Sequence, residues 1–385
     1  MSFVEAGASF VETARATWLL TGLPAPVIGA RMSLIASLYP LLRPLAFQFD
    51  GERAHLLTLA ALKRMPVGAP PAADPVLGMR VAGIDFPNPV GLAAGFDKNG
   101  EVPHVMLGLG FGFAELGTLT PLPQDGNPKP RLFRLVEDRA VINRMGFNNG
   151  GQVEALARLT AVAHRPGIIG VNIGANKDST DRIDDYARGV CAMAPVATYL
   201  TVNISSPNTP GLRALQDAGA LTELLQAVMA ARAASAVTTG RMPPIFLKVA
   251  PDLEPADIDD IARIAADTGL DALIISNTTI GRPALNSRHA GEGGGLSGAP
   301  LRDLAQQRMI DFHKATGGTI PLIGAGGIAS AEDAYARIRA GASLIQLYSA
   351  LVYEGPGLAA RINKGLRQLL ARDGFATLKD AVGTL

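Results

Sequence analysis

The stretch YLTVNISSPNTPG, residues 199–211, changes character at its middle. It begins with a short apolar run containing β-branched residues, which is typical of a buried β-strand. It then continues with two asparagines, two serines and two prolines, although a plain turn needs only one or two such residues. Loops held by a rigid scaffold often carry binding and catalytic residues. The stretch therefore predicts a strand followed by a functional loop.

The same order of apolar run, polar loop and helix-like segment recurs from about residue 89 onward. Such alternation predicts an α/β protein. Eight strands with intervening helices in about 300 residues favour a (β/α)8 TIM barrel, and a doubly wound open sheet is the alternative. The predicted strands are residues 89–94, 113–118, 168–173, 199–204, 245–250, 272–277, 320–325 and 344–348.

Composition and charge narrow the class of protein. The 385 residues are 48% hydrophobic, enough for a large core, and carry 35 basic against 34 acidic side chains. With no net field to attract nucleic acid, we expect no nucleic-acid partner. The single cysteine, Cys191, excludes an internal disulfide and is expected to be a buried, unreactive thiol. The five histidines show no pair at metal-ligand spacing, which predicts no metal site.

The amino-terminal region differs from the rest of the chain. Residues 1–31 are expected to be an extension of uncertain order, without the basic start of a signal peptide or a membrane-spanning apolar run. Residues 32–75 are expected to form two short helices and a proline-rich linker, and residues 76–385 the barrel. The first helix has apolar residues at helical spacing and basic neighbours. This pattern fits two alternatives, a helix that packs against the barrel and a helix that lies on a membrane surface.

Polar residues gather at the carboxyl ends of the predicted strands, which form the active-site face of a TIM barrel. Lys98 and Lys248 stand at two of these ends. A buried ammonium must pair with a structural carboxylate, bind an anion or lose its charge, and a strand-end lysine could also form an aldolase-type Schiff base. Asparagines at these ends offer donor and acceptor without charge, which suits a flat heterocycle bearing amides.

Two glycine clusters lie in the last third of the chain. The first, GAGGI at 324–328, leads from a strand into a helix capped by Ser330 and Asp333, and exposed amides there predict a phosphate site. It partly matches the dinucleotide fingerprint, but no acidic residue follows at the required spacing. The second, at 293–298, follows a polar segment and is expected to be a mobile loop.

Ten motifs in family order give the chain a close resemblance to dihydroorotate dehydrogenases of the membrane-associated, quinone-using class, over roughly residues 37–370. The segment FQFDGERAH (47–55) also resembles the amino-terminal helical element of that class. The motifs are AAGFDKNG (93–100), ELGTLTPLPQDGNPKPRLFRL (115–135), NRMGFNN (143–149), NIGANK (172–177), NISSPNTPGLR (203–213), LKVAPDL (247–253), SNTT (276–279), GGLSG (294–298), GAGGI (324–328) and GASLIQLYS (341–349).

The resemblance implies oxidation of dihydroorotate to orotate in de novo pyrimidine synthesis, with bound FMN as hydride acceptor and a ubiquinone-like quinone as second substrate. It implies that Ser206 is the base that takes the C5 proton, where classes with soluble acceptors have a cysteine. The amino-terminal helices would form the mouth of a quinone tunnel and rest on the cytoplasmic side of the inner membrane. We expect a peripheral membrane protein that is monomeric.

The resemblance also assigns binding residues, and the physical reading agrees: Lys98 can face the substrate carboxylate, and Lys248 can stabilise charge on a reduced flavin. A Schiff-base aldolase using Lys248 and a non-catalytic membrane scaffold remain as alternatives. The residues expected to hold FMN are Ala94, Gly95, Phe96, Asp97, Lys98, Thr118, Asn172, Asn203, Lys248, Ser276, Gly298, Gly327, Tyr348 and Ser349. Those expected to hold the substrate are Lys98, Asn143, Arg144, Met145, Gly146, Phe147, Asn203, Asn208, Asn277 and Thr278.

Overall fold

The computed structural model describes residues 38–385, so the expectation for residues 1–31 and the start of the first predicted helix lie outside the described residues. Two helices precede the barrel, and the proline-rich segment 66–74 that follows them contains neither helix nor strand. The helices are α1 (38–46), α2 (Gly51–Leu62), α3 (Pro103–Gly108), α4 (Gln152–Val162), α5 (Arg182–Met193), α6 (Ala218–Thr239), α7 (Pro255–Asp267), α8 (Arg302–Thr316), α9 (Ala331–Arg339), α10 (Ser349–Glu354), α11 (Leu358–Asp373) and α12 (Leu378–Ala381).

The strands form one closed barrel and two small sheets. They are β1 (Met79–Val81), β2 (Ile84–Phe86), β3 (Val90–Leu92), β4 (Phe113–Leu119), β5 (Leu132–Leu135), β6 (Ala140–Asn143), β7 (Ile169–Ile173), β8 (Tyr199–Asn203), β9 (Ile245–Val249), β10 (Ala272–Ile275), β11 (Gly295–Gly298), β12 (Leu322–Ala325) and β13 (Ala342–Leu347). Strands β3, β4, β7, β8, β9, β10, β12 and β13 pair in parallel in this order, and β13 returns to β3. The predicted TIM barrel is confirmed, and the closed sheet excludes the doubly wound alternative.

Aromatic residues close the amino-terminal end of the barrel. Phe86 of β2 packs edge-on against Phe113 at the start of β4, with ring centroids 5.1 Å apart. Tyr199, the first residue of β8, stacks on the ring of Phe246 in β9 at 4.4 Å. Gly170 leaves room for this layer, since a Cβ there would lie 2.1 Å from the ring of Tyr199. With this end filled by apolar rings, the carboxyl ends of the strands are left for a site.

A three-stranded antiparallel sheet, β5, β6 and β11, stands beside the barrel. The expectation of a mobile loop at 293–298 is wrong, because Gly295–Gly298 is a strand that pairs with β6. Leu296 at its centre is fully buried in a small apolar cluster with Phe133 and Ile142. The burial of this side chain and the ladder to β6 stabilise a strand that its glycine-rich sequence does not predict.

The expectation of a buried Cys191 is also wrong, because the side chain is exposed on α5. The buried positions of this helix include Tyr186, Gly189, Val190 and Met193, which share one face. At 3.6 residues per turn, position 191 falls outside that face.

Candidate active site

A cavity of about 670 Å³ lies at the carboxyl ends of the barrel strands. Its walls come from the residues that follow β3, β8, β10, β12 and β13, and from helices α1 and α2. A cavity of this size is typical of sites for small molecules and cofactors. Ser206 and the other predicted site residues line it, with the exceptions of Asp97, Asn172 and Arg144.

These three exceptions have other partners. The buried carboxylate of Asp97 accepts hydrogen bonds from the amides of Glu101 and Val102, both at 2.8 Å, and burial raises its pKa. The side-chain amide of Asn172 does not line the cavity, and its Oδ1 accepts from the Thr118 hydroxyl at 2.6 Å. The guanidinium of Arg144 forms an ion pair with Glu292 at 2.9 Å, outside the cavity lining.

A hydrogen-bonded network fixes the amides at the ends of three strands. Asn203 Nδ2 donates to Thr118 Oγ1 at 3.0 Å and to Asn172 Oδ1 at 3.1 Å. Asn203 Oδ1 accepts from the Ser205 hydroxyl at 2.8 Å, and Ser205 Oγ accepts from Asn277 Nδ2 at 2.9 Å. Because each amide has a partner that defines its orientation, the polar groups on the cavity wall are preorganised.

The two serines of the strand-end loop have different surroundings. Ser205 is fully buried within the network, whereas Ser206 is 5% exposed and lines the cavity. Ser206 Oγ accepts a hydrogen bond from the backbone N–H of Asn208 at 3.2 Å, and among residues 38–385 the Ser206 O–H has no acceptor. A donor to Oγ stabilises negative charge there, and the unused O–H is available to a ligand or a water. Ser206 is therefore the candidate base.

Arg213 is a residue of this loop that the sequence analysis did not assign. Its guanidinium donates to the carbonyls of Ser205 and Thr278, both at 3.0 Å, and forms an ion pair with Asp252 at 2.8 Å. It therefore ties together the loops that follow β8, β9 and β10. Arg213 lies seven residues beyond Ser206, too far from the predicted strand to be identified as a strand-end residue.

Of the two lysines in the strand-end loops, Lys248 is buried and Lys98 is partly buried, and neither forms an ion pair with a carboxylate of the described residues. Burial lowers the pKa of Lys98 to about 8, an effect that the charge of Glu52 opposes and that of Arg131 reinforces. Burial also lowers the pKa of Lys248, and the charge of Glu115 opposes this. Both ammonium groups line the cavity, so an anionic ligand would relieve the cost of burying them.

Glu115, in the middle of β4, was not predicted as a site residue. The structure shows that its side chain is completely buried. Its carboxylate accepts from Asn172 Nδ2 at 2.8 Å, from the hydroxyls of Tyr199 and Thr201 at 3.1 Å, and from Gln346 Nε2 at 2.7 Å. Four donors satisfy the hydrogen-bonding capacity of this carboxylate inside the barrel. A glutamate within an otherwise apolar predicted strand is the sequence feature that could have indicated a buried polar site here.

His55 of α2 was also missed, because nothing in the helical pattern links it to the strand ends. Its ring packs edge-on against Phe96 with centroids 5.3 Å apart, and it lines the cavity. Burial, reinforced by the charge of Lys98, lowers the pKa of His55 to about 3, so the imidazole is neutral at neutral pH. The ring lies between α2 and the barrel.

The glycine-rich segment after β12 forms an anion-binding cradle. Gly326 and Gly327 have positive φ angles of 94° and 73°, which favour glycine. No residue in the described part of the chain accepts a hydrogen bond from either amide. Both residues line the cavity, as does Ser349, whose Oγ lies 2.7 Å from that of Ser297. Free amides on a left-handed turn are suited to a phosphate group.

Helix α1 has both a packed side and an exposed apolar side. The Tyr39 hydroxyl donates to the carbonyl of Val352 at 2.7 Å, and Arg43 Nη1 to that of Tyr353 at 3.1 Å. Leu41 and Leu45 are 74% and 64% exposed, respectively. Of the helices that the structure describes, none has the length and apolar character needed to cross a bilayer.

A buried ion pair attaches α2 to the barrel. Glu52 and Arg131 are 7% and 6% exposed, and their two hydrogen bonds measure 2.7 and 3.1 Å. Arg131 Nη1 also donates to the carbonyls of Asp125 and Asn127 at 2.6 and 2.8 Å. The ion pair thus holds α2 against the segment that leads to β5.

Residues 76–370 match the family profile of dihydroorotate dehydrogenase. The quinone-type dihydroorotate dehydrogenase of Sphingopyxis alaskensis is 64% identical over 358 residues, covering 91% of this chain and 99% of that protein. That of Novosphingobium aromaticivorans is 64% identical over 351 residues, covering 90% and 99%, respectively. The crystal structure of DHODH from Eimeria tenella in complex with ferulenol superposes with a TM-score of 0.83 at 42% identity, over 87% of this chain and 95% of that chain.

Proposed function

The chain belongs to the dihydroorotate dehydrogenase family, and we propose on this premise that it oxidises dihydroorotate to orotate and passes the electrons to a quinone in de novo pyrimidine synthesis. The observation that carries the proposal is a cavity at the barrel mouth lined by Ser206, a set of fixed asparagines and two lysines that have no carboxylate partner among residues 38–385. The family membership confirms the resemblance seen in the ten motifs. The Schiff-base aldolase alternative is not favoured.

The family implies a redox cofactor, and we propose that it is FMN. When bound, FMN supplies the acceptor for the hydride and the route of the electrons to the quinone. The free amides of Gly326 and Gly327 suit its phosphate, and the buried ammonium of Lys248 suits negative charge on a reduced ring. The cavity-lining residues of the FMN set would hold it, and Asn172 would support Thr118 and Asn203 through the hydrogen bonds that it accepts from them.

Lys98 is proposed to bind the carboxylate of dihydroorotate, since its ammonium lines the cavity without an ion pair to a described carboxylate. The ring amides of the substrate would meet the side-chain amides of Asn143, Asn208 and Asn277. Asn208 Nδ2 lies 3.3 Å from Asn143 Oδ1, and Asn277 is held by Ser205, so these groups are positioned before substrate arrives. Such fixed donors and acceptors favour one orientation of a flat ring.

Ser206 is proposed to take the proton from C5 of the substrate while the hydride leaves C6. The C5–H bond breaks, its electron pair forms the ring double bond, and the proton passes to Ser206 Oγ. Because serine is a weak base, it must give up its own proton, and a water held near buried Thr209 in the same loop is the proposed acceptor. The Asn208 amide, which donates to Oγ, would stabilise the developing negative charge.

Helices α1 and α2 are proposed to form the entrance for the quinone and to rest on the membrane. Leu41, Leu45, Leu56 and Leu57 are all at least half exposed, an apolar surface that a bilayer would cover. Tyr39, Leu42 and His55 line the cavity on this side, so the exposed leucines stand beside an apolar route to the site. We propose, as the family resemblance implies, that the protein is peripheral to the cytoplasmic face of the inner membrane and monomeric.

A visible absorption spectrum of the purified protein, taken with and without dihydroorotate, tests the proposed function. We expect a yellow protein whose flavin bands bleach on anaerobic addition of dihydroorotate and return on addition of a quinone. A colourless protein that borohydride traps at Lys248 with a carbonyl substrate would support the aldolase instead. A colourless protein with neither reaction would support a membrane scaffold.

A further inference from the structure

Arg337 of α9 is one of the largest completely buried side chains in the described part of the protein, at 1% exposure. Among residues 38–385 its guanidinium has no carboxylate at ion-pair distance. Instead it donates to the carbonyls of Ala325, Gly326 and Arg302 at 3.2, 3.1 and 3.4 Å, and to Gln306 Oε1 at 3.0 Å. A buried cation whose acceptors are all neutral oxygens is costly in the isolated protein.

The hydrogen bonds of Arg337 orient the cradle. In a trans peptide the C=O and the N–H point in opposite directions. The carbonyl of Ala325 belongs to the same peptide unit as the amide of Gly326, and the carbonyl of Gly326 to the same unit as the amide of Gly327. The Ala325 carbonyl also accepts from the Ser276 amide at 3.2 Å, so the barrel and Arg337 hold that unit together, whereas among the described residues the Gly326 carbonyl accepts from Arg337 alone. By binding the two carbonyls, Arg337 directs the free amides away from itself, and both glycines line the cavity.

The charge around the cradle is also unbalanced. Asp333, the acid whose charge supports Arg337, already binds Arg302 Nε and the Ala329 amide, both at 2.9 Å. Burial lowers the pKa of Arg337 only to about 10, so the guanidinium keeps its charge at neutral pH. Gly324 makes room for the side chain, since a Cβ there would lie 2.4 Å from its Cγ. The chain thus places a fixed positive charge beneath two unused amides.

We propose that Arg337 is a positioning residue for the phosphate of the cofactor: it orients the amides of Gly326 and Gly327 toward that phosphate and supplies a buried counter-charge that the phosphate completes. The inference rests on the proposed function, because it requires a cofactor with a phosphate monoester. It concerns a residue that does not touch the ligand and acts through the backbone of the loop.

The test compares two flavins that differ only in the phosphate. Holoenzyme is incubated with excess riboflavin, and the exchange constant between bound FMN and bound riboflavin is measured by filtration and chromatography. A general loss of packing weakens the binding of both flavins equally, so it leaves this constant unchanged. Loss of an interaction directed at the phosphate weakens the binding of FMN alone and therefore changes the constant. We expect Arg337→Met to shift the constant at least about tenfold toward riboflavin, and Arg337→Lys, which keeps the charge, to shift it less.

The matched control is Arg241→Met. Arg241 also donates to two backbone carbonyls, those of Pro195 and Ala197, but these residues precede β8 at the opposite end of the barrel. We expect the parent exchange constant for this variant. An unchanged constant in Arg337→Met, with flavin still reduced by dihydroorotate, would overturn the inference and leave the proposed function standing. A parent protein that binds no flavin would overturn both.

A second measurement needs no variant, in case Arg337→Met does not fold. A free phosphate monoester takes up a proton with a pKa of about 6. Beside a buried guanidinium, the FMN phosphate should stay dianionic, so the phosphorus NMR resonance of the holoenzyme should not move between about pH 5.5 and 8. A bound phosphate that titrates with a pKa near 6 would overturn the inference.

Discussion

The pH dependence of orotate binding should report directly on Lys98. Burial lowers the pKa of this lysine from 10.5 to about 8, which corresponds to a cost of about 3 kcal/mol for carrying the charge in the free protein. A bound carboxylate repays part of that cost, so binding favours the protonated lysine. We therefore expect the Kd for orotate to be constant below about pH 8 and to rise about tenfold per pH unit above it.

Removing the ammonium should separate this effect from all others. In Lys98→Met the charge-assisted hydrogen bond, worth roughly 1.5–3 kcal/mol, is lost, which corresponds to about a 10- to 150-fold weaker Kd for orotate at pH 7. The rise in Kd above pH 8 should disappear. Lys364→Met, at an exposed position of α11, is the matched control and should bind orotate as the parent does.

The assay is a titration of the holoenzyme with orotate from pH 6.5 to 9.5, followed by calorimetry and by the flavin spectrum. Folding stability gives an independent check with a defined sign. The unfolded chain binds the Lys98 proton up to about pH 10.5 and the folded protein only to about pH 8, so stability should rise with pH across this window. A flat Kd for the parent up to pH 9.5, or the same pH dependence in Lys98→Met, would refute the reasoning.

Three further predictions follow from contacts around the cavity. Glu115→Gln removes a buried negative charge near Lys248 and should raise the flavin midpoint potential by roughly 30 mV in a redox titration; an unchanged potential would argue against electrostatic tuning from the barrel interior. Glu52→Gln leaves the buried Arg131 guanidinium without its carboxylate and should lower the free energy of unfolding by about 3–5 kcal/mol. The control is Glu101→Gln, at the exposed ion pair with Lys63, which should lower the free energy of unfolding by less than about 1 kcal/mol. Equal losses in the two variants would count against a stabilising role of the buried ion pair. Leu41→Glu combined with Leu45→Glu should reduce vesicle binding and turnover of a long-tailed quinone, while flavin reduction by dihydroorotate stays unchanged. The control, Val237→Glu at an 88% exposed site on α6, should leave all three measurements unchanged. Loss of flavin reduction in the double variant would contradict a role of these leucines confined to the membrane.

The barrel, and the position of most candidate site residues at its cavity, could be predicted from sequence because both depend on local signals. Each predicted strand overlaps a barrel strand with ends that differ by no more than two residues. Polar residues in the loops that follow the strands, such as Ser206 and Lys98, lie on one face of the barrel, so their position can be predicted without knowledge of its packing. The capping pair Ser330 and Asp333 was likewise local, and the amide of Asp333 donates to Ser330 Oγ at 3.1 Å.

The residues that were missed act across the fold. His55 reaches the cavity only because α2 packs on the barrel, through an ion pair between Glu52 and Arg131 that spans 79 positions. Arg337 supports the cradle from a helix that follows it, with its side chain directed at carbonyls that no sequence pattern marks. Long-range contacts of this kind are fixed by tertiary packing.

Two wrong expectations have the same cause. Glycine-rich residues 293–298 carry no strand propensity, yet pairing with β6 and burial of Leu296 make Gly295–Gly298 a strand. Cys191 lies in an apolar stretch, but the rotation of α5 is set by its buried face, which excludes this position. In both segments, packing partners distant in sequence override the local composition.

The rate at which dihydroorotate bleaches the flavin of Ser206→Ala in an anaerobic stopped-flow experiment tests the central claim most directly. With Ser206 as the base, the rate should fall by roughly 100- to 10,000-fold, while orotate still binds with close to its parent Kd. Bleaching at the parent rate would contradict the claim that this hydroxyl accepts the substrate proton.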